Sequence, residues 1–161
     1  MKIRFRKVII EDLDLLLEHR NMPSTRKWLE DERKISKSQQ KIWFGARGHD
    51  CFQIVEDDIG VPIGLARIKQ CSQREWQIGL DLFAKHRGRG LGKIVFEQIV
   101  KGVNDSAQLL SLWVFADNIP AVRVYEASGF QEDHSTESLF LKRDWCKDRK
   151  KYRYMRMVKY L

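Results

Sequence analysis

The sequence predicts a single mixed α/β domain over residues 1–161: a mixed sheet with helices on both faces. Three observations lead there. Strand-like runs alternate with amphipathic stretches in the order β-α-α-α-β-β-β-α-β-α-β-β, with no repeat, linker or low-complexity tract between them. At 161 residues with 43% apolar content, the chain can bury one real core, and no apolar run approaches the roughly 18 residues of a membrane span. The glycine-rich turns fall where a strand should hand over to a helix.

Lys2 to Val8 alternates like a strand. Asp12 to Asn21, carrying Leu13, Leu16 and Leu17, reads as a helix stopped by Met22-Pro23, and Ser24 to Asp31 as a short second helix. Ser36-x-x-Gln39 is a capping box opening a helix through Phe44. Phe52–Glu56 and Ile63–Lys69 form a hairpin around Asp57-Asp58-Ile59-Gly60. Arg74 to Phe83 is a strand in which Gly79 marks either a bulge or a close approach. A helix follows from Ile94, then a buried strand at 109–115 and a helix at 118–128. A final hairpin pairs residues 137–142 with 152–160, and the basic run Lys147-Asp148-Arg149-Lys150-Lys151 reads as a solvated loop.

The most informative segment is Arg87-Gly88-Arg89-Gly90-Leu91-Gly92-Lys93, set between a strand and a helix. Its three glycines allow close backbone approach to a ligand. The N–H groups of the turn and of the helix's first turn form an anion cradle, which the helix dipole reinforces and the cationic side chains supplement. It is not a P-loop: Arg87 stands where the first Gly belongs, and Ile94 follows the lysine. It is not a dinucleotide fingerprint either, since the spacing is G-x-G-x-G and the segment lies past the middle of the chain. What fits is R-x-x-G-x-G, at Arg87, Gly90 and Gly92.

A second pattern, N-x-x-A-x-x-x-Y-x-x-x-G-F, is complete at Asn118, Ala121, Tyr125, Gly129 and Phe130. Asn118 suits a helix N-cap and Pro120 the first turn; Ala121 leaves room for a ligand chain and shares a helix face with Tyr125. Gly129 can take the left-handed conformation that ends the helix, turning Phe130 to the core. In this order the two motifs resemble the signatures of the GCN5-related N-acetyltransferases (GNAT family), and the resemblance covers essentially the whole chain. It implies a mostly antiparallel twisted sheet whose two central strands splay apart at the cradle. It implies acetyl-CoA as the acetyl donor, bound by Arg87, Gly88, Arg89, Gly90, Leu91, Gly92, Lys93, Asn118, Ala121 and Tyr125. Backbone groups of Leu80 and Leu82 would hold the pantetheine and the thioester oxygen, where an N–H stabilises the oxyanion. Tyr125 occupies the family's general-acid position; a phenol with ordinary pKa of about 10 can protonate a leaving thiolate. For the base, Glu75, Asp81 and a water chain all stand open, with Glu75 the nearest analogue of the family's strand carboxylate. Attack is direct, amine on thioester, and no metal is expected: the histidines and cysteines show no ligand spacing.

Around the N-terminal third, Arg20-Asn21, Arg26, Trp28-Leu29, Ile35-Ser36 and Trp43-Phe44 resemble a GNAT subgroup acetylating nucleotide-linked amino sugars, including the pseudaminic-acid pathway enzyme. Ribosomal-protein N-terminal acetyltransferases share a looser version. The resemblance implies that Arg20, Asn21, Arg26 and Trp28 face the acceptor, the arginines binding a diphosphate. Arg20 and Arg26 pairing with Glu18, Glu30 or Asp31, and core packing for the aromatics, are the alternatives. The net charge of +8 favours a small, anionic amine acceptor. A peptide N-terminus is the second reading; a nucleic-acid-directed module (aminoacyl-tRNA) is a third and disfavoured one. Edge elements, the last hairpin included, are available for a homodimer. With no signal-peptide pattern at Met1–Arg6 and three scattered cysteines, the expected location is the cytoplasm.

Overall fold

The structure is a computed structural model describing residues 2–103, 106–135, 143–147 and 150–161. Contacts divide it into two compact units, Met1–Arg67 with Leu80–Arg89, and Ile68–Gly79 with Gly90–Leu161.

The first unit contains β1 (Arg4–Lys7), a 3-10 turn at Ile10–Asp12, α1 (Leu13–Asn21), α2 (Pro23–Arg26), α3 (Lys37–Gly45) and β2 (Phe52–Glu56). It also takes in most of β3 (Pro62–Gln70) and the end of β4 (Glu75–Leu82). β1 and β2 pair antiparallel from Arg4↔Glu56 to Lys7↔Gln53, and β2 and β3 from Phe52↔Arg67. Val8, Leu16, Ile54 and Phe83 form the core, with Leu15, Phe44, Phe52 and Leu65 packed against them. Arg6 fastens β1 to the start of α1. Its guanidinium donates two bonds to the Asp12 carboxylate (2.7 and 2.8 Å) and one to Glu56 (2.6 Å). Burial pushes the Asp12 carboxyl up, but Arg6 and the Ile9 N–H outweigh it and hold it below its ordinary value.

The capping box of α3 forms as expected: Gln39 N–H donates to Ser36 Oγ, and Ser36 N–H to Gln39 Oε1. The second helix is shorter than its sequence suggests, ending at Arg26 rather than Asp31. The reason is tertiary. Residues 31–35 are gathered in by side-chain-to-backbone bonds from Arg20, Asn21 and Arg26, and a helix through 27–31 could not meet them.

The second unit contains the start of β4, α4 (Leu91–Lys101), β5 (Leu109–Phe115), α5 (Ile119–Ala127), β6 (Gln131–Glu132), β7 (Arg143–Lys147) and β8 (Lys150–Tyr160). β4 and β5 pair in parallel. β5 pairs antiparallel with β8 over its whole length, Leu109↔Tyr160 to Phe115↔Tyr154, and β6 and β7 also pair antiparallel with β8. Residues 137–142, expected in the last hairpin, lie outside the described residues. β8 pairs antiparallel with β7 down to Lys147↔Lys150. Lys147, Lys150 and Lys151 therefore sit in strands rather than in a loop, while Asp148 and Arg149 lie outside the described residues.

Val95, Phe96 and Ile99 give α4 one apolar face, and all are essentially inaccessible. Phe96 meets the rings of Tyr125 (4.8 Å) and Phe130 (5.5 Å) between centroids. α5 ends as its sequence requires. Gly129 has φ +86°, Phe130 N–H bonds to Tyr125 C=O and Gly129 N–H to Glu126 C=O, which is a Schellman closure. Asn118 occupies the N-cap position, but its side chain makes no cap bond; its carbonyl accepts from Ala121 and Val122 N–H instead.

Candidate active site

Gly88 and Gly90 both adopt left-handed conformations (φ +71° and +74°), and α4 begins at the next residue, Leu91. A Cβ on either glycine would meet no protein atom within 4 Å, so the glycines serve conformation and open approach rather than internal packing. The first-turn N–H groups of an 11-residue helix therefore start from an open turn, suited to a diphosphate. Arg89 and Lys93 are exposed beside it. The His86 imidazole reports the local field: burial lowers it, and Lys85 and Arg89 lower it further.

Arg87 is held by partners of its own unit. Its Nε donates to Leu82 C=O (2.7 Å), one terminal nitrogen to Ser24 C=O (3.2 Å), and the other to Thr25 Oγ1 and Asp81 Oδ1 (both 3.0 Å). Asp81 completes the cluster by taking His19 Nε2 on its other oxygen at 2.7 Å. Gly64 on β3 makes room for this end of β4; a Cβ there would lie 2.9 Å from Asp81 C=O.

In the second unit the β4–β5 ladder consists of Glu75↔Leu109, Trp76↔Leu110 and Gln77↔Ser111. Within the second unit the ladder ends at Gln77↔Ser111. The divergence thus begins at Ile78, just before Gly79. Glu75 lies at the root of this split. Its Oε1 accepts from Ser111 Oγ (2.5 Å) and from Arg156 (2.8 Å), and Arg156 also donates to Asp133 (2.5 Å). Tyr125 is buried on the inner face of α5, at 8% exposure, and Ala121 lies one turn before it.

The acceptor motif of the first unit proves to be a clasp. Asn21 grips Ile35 from both sides, its amide nitrogen on the carbonyl (2.8 Å) and its oxygen on the N–H (2.9 Å). Arg20 donates to Asp31 and Arg33 carbonyls, and Arg26 to Asn21 and Glu32 carbonyls. The alternative pairing with acidic side chains is also not what is found: the acceptors are backbone oxygens. Trp43 packs edge-on to Phe52, and Phe44 stacks on His49 at 4.0 Å. Trp28 is half-buried under the Lys27 ammonium.

A glycine cradle at a helix start, a split parallel strand pair and a buried helix tyrosine agree with a family match over residues 13–130, to the acetyltransferase (GNAT) family. The chain belongs to the GNAT family. It is an N-acetyltransferase, and acetyl-CoA is its donor. Solved structures share its fold at low identity. They include spermidine N-acetyltransferase from Vibrio cholerae in complex with CoA and spermine (TM-score 0.82, 18% identity, 98% of this chain and 95% of that one). Ribosomal-protein-alanine N-acetyltransferase from Brucella melitensis is a second (0.75, 17%, 98% and 99%). YncA of Salmonella typhimurium, a putative acetyltransferase with its cofactor acetyl-CoA, is a third (0.75, 14%, 100% and 95%). No curated protein matches the sequence.

The cradle of this GNAT enzyme fits a coenzyme diphosphate: two left-handed glycines present backbone and no side chain. Among the described residues no cluster could hold a metal ion, and no helix is long and apolar enough to cross a membrane. Sequence reasoning missed His19, Thr25, Ser111, Asp133 and Arg156. Arg156 left a signal, since a lone cation within Tyr154-Met155-Arg156-Met157-Val158 must find buried partners. The other four left none, because their partners are distant in the chain.

Proposed function

We propose that this enzyme acetylates the primary amine of a small anionic acceptor in the cytoplasm, a nucleotide-linked amino sugar being the favoured class, with residues 1–161 acting as one catalytic domain. The observation that carries the reading is the clasp itself. Every residue matched to the amino-sugar subgroup lies in the first unit, and Arg20, Asn21 and Arg26 give the 31–35 segment one fixed shape. Fixed shape, rather than direct arginine–phosphate contact, is what these three supply; Trp28, half-exposed, is the acceptor-facing candidate. A balance of 30 basic to 22 acidic residues speaks against a polycationic amine. The second reading, a peptide N-terminus, is favoured by the fold likeness to the Brucella enzyme and by Ile78-Gly79-Leu80.

Tyr125 is the proposed acid and thiolate partner. Tyr125→Phe is expected to lower kcat at least tenfold while acetyl-CoA binding changes less than threefold, since the ring keeps its Phe96 contact. An unchanged kcat would remove the role. Glu75 is a poor base in this arrangement: Ser111 and Arg156 already occupy its Oε1 from within the fold.

The acceptor is read directly by thiol release from acetyl-CoA over UDP-amino sugars, alanine-initiated peptides and spermidine. Turnover confined to an amino sugar is the expected result. Turnover confined to peptides would install the second reading, and spermidine turnover would overturn the anionic acceptor.

A further inference from the structure

We infer that His19 is the proton acceptor for the incoming amine, with Asp81 as its positioning residue; this rests on the acetyl-transfer reading of the site. His19 lies in the last turn of α1 at 5% exposure. Its Nε2 is 2.7 Å from Asp81 Oδ2, and its ring leans on Phe83 with centroids 4.8 Å apart. The second ring nitrogen, Nδ1, is buried and has no hydrogen-bond partner among the described residues. A buried polar atom left unmatched is uncommon in a native fold, and here it leaves one ring nitrogen with capacity for a further hydrogen bond.

The pairing decides the tautomer. A carboxylate on Nε2 requires a proton there, so the neutral ring carries its lone pair on Nδ1. The Asp81 charge also stabilises the imidazolium once Nδ1 takes a proton, which is the division of labour between a base and its orienting acid. Placement supports the role. Asp81 is the residue between Leu80 and Leu82, whose backbone groups are the expected pantetheine and oxyanion contacts. Arg87 fixes Asp81 from its other oxygen while holding Leu82 C=O, so one cluster aligns the base and the end of the strand.

The step balances. An ammonium R–NH3+ gives one proton to Nδ1, directly or through one water, and becomes R–NH2. Its nitrogen forms a C–N bond to the thioester carbonyl, and the C–S bond breaks. The leaving thiolate takes up one proton as the new amide nitrogen releases one. The imidazolium returns its proton to solvent, leaving amide, free thiol and one H+.

The charged groups around the pair are Asp81 from β4, and Arg87, whose other terminal contacts are Thr25 and Ser24 of α2. Glu18 and Arg20 flank His19 on α1 itself, and Arg26 of α2 is held on Asn21 and Glu32 carbonyls. From α3, Lys37 pairs with Asp14 near the other end of α1.

The test is the pH profile of kcat/KM, with saturating acetyl-CoA and the panel amine of highest turnover, beside thermal shift by acetyl-CoA. In the wild type an ascending limb is expected. His19→Gln should remove that limb and lower kcat/KM at least thirtyfold at neutral pH, with the acetyl-CoA shift retained. Asp81→Asn should lower kcat/KM at least tenfold with the acetyl-CoA shift retained, since the ring loses the carboxylate that orients it. An independent reading is 15N NMR of the wild-type imidazoles: His19 must show the Nε2–H tautomer in its neutral form. This holds even where His19→Gln fails to fold. Retention of the wild-type limb in His19→Gln, or the opposite tautomer, would overturn the base assignment while leaving the acetyl-transfer reading intact. A wild type without acetyl-CoA shift or turnover would overturn both.

Discussion

Gly90→Val is expected to abolish the acetyl-CoA-induced rise in Tm, whereas Gly60→Val, on the β2–β3 turn, should leave that rise intact. Both glycines sit at left-handed φ, +74° and +84°. Both substitutions therefore impose similar backbone strain, about 1–3 kcal/mol for a residue forced into that region, and both lower Tm of the free protein by several degrees. Neither creates a severe clash: a Cβ on Gly90 meets nothing within 4 Å, and one on Gly60 meets only Arg4 Nη2 at 3.6 Å. The pair thus separates strain from recognition. Only at Gly90 does the new side chain enter the space that a diphosphate needs at the start of α4. Isothermal titration with CoA is expected to show at least a hundredfold loss for Gly90→Val and less than a twofold change for Gly60→Val. Equal losses in both variants would mean that the effect is strain alone, and the cradle would be misplaced.

The second large effect is on stability. Arg156→Met removes about 3–5 kcal/mol, the usual cost of breaking a buried ion network from one side. Arg156 is 8% exposed in its side chain; its partners Asp133 and Glu75 are 6% and 26% exposed. Methionine fills the space of the stem but leaves two carboxylates without their cation. Adding Asp133→Asn and Glu75→Gln should restore most of the loss, since an apolar or neutral replacement of the whole network lacks the stranded charges.

A pH dependence identifies the cause. Burial pushes the Asp133 carboxyl up, but the Ser135 N–H and hydroxyl and then Arg156 outweigh it, so it is held below the ordinary value. A depressed carboxyl contributes stability that is full above its unfolded pKa of about 3.9 and is lost as pH falls through the folded value. In Arg156→Met one of those opposing interactions is gone, and the burial contribution gains weight. The gap between wild type and variant, measured by urea unfolding at pH 7, 5 and 4, should therefore narrow toward acid. A gap under 1 kcal/mol, or one independent of pH, would show that the network is not what Arg156 contributes.

Much of this enzyme was legible in its sequence for local reasons. The capping box at Ser36, the chain reversal after Ala127 and the left-handed glycines before α4 each depend on residues within a few positions of one another. Backbone sterics and short-range hydrogen bonds decide them wherever they occur. The strand 109–115 was legible because a run of that length without charge can only be buried on both faces. What was not legible has the opposite cause. The second helix stopped early because carbonyls beyond it, as far as Ile35, were claimed by side chains. Arg87, counted as a phosphate ligand by its motif, was drawn to Thr25 and Asp81, at separations of 62 and six residues. Glu75, chosen as base by analogy, found Arg156 across 81 residues.

The sequence by itself determined that this chain is a GNAT acetyltransferase with a glycine cradle and a helix tyrosine, because those features are written in contiguous residue types and fixed spacings. Only the tertiary structure decided which charges remain available for chemistry. An ionised side chain in a fold settles with the partner that compensates its desolvation best, and that partner comes from whatever strand or helix lies nearest in space. Arg20 and Arg26 went to backbone carbonyls and Glu75 to Arg156. His19, one scattered histidine among four in the sequence, was paired with Asp81 and left with one nitrogen unmatched.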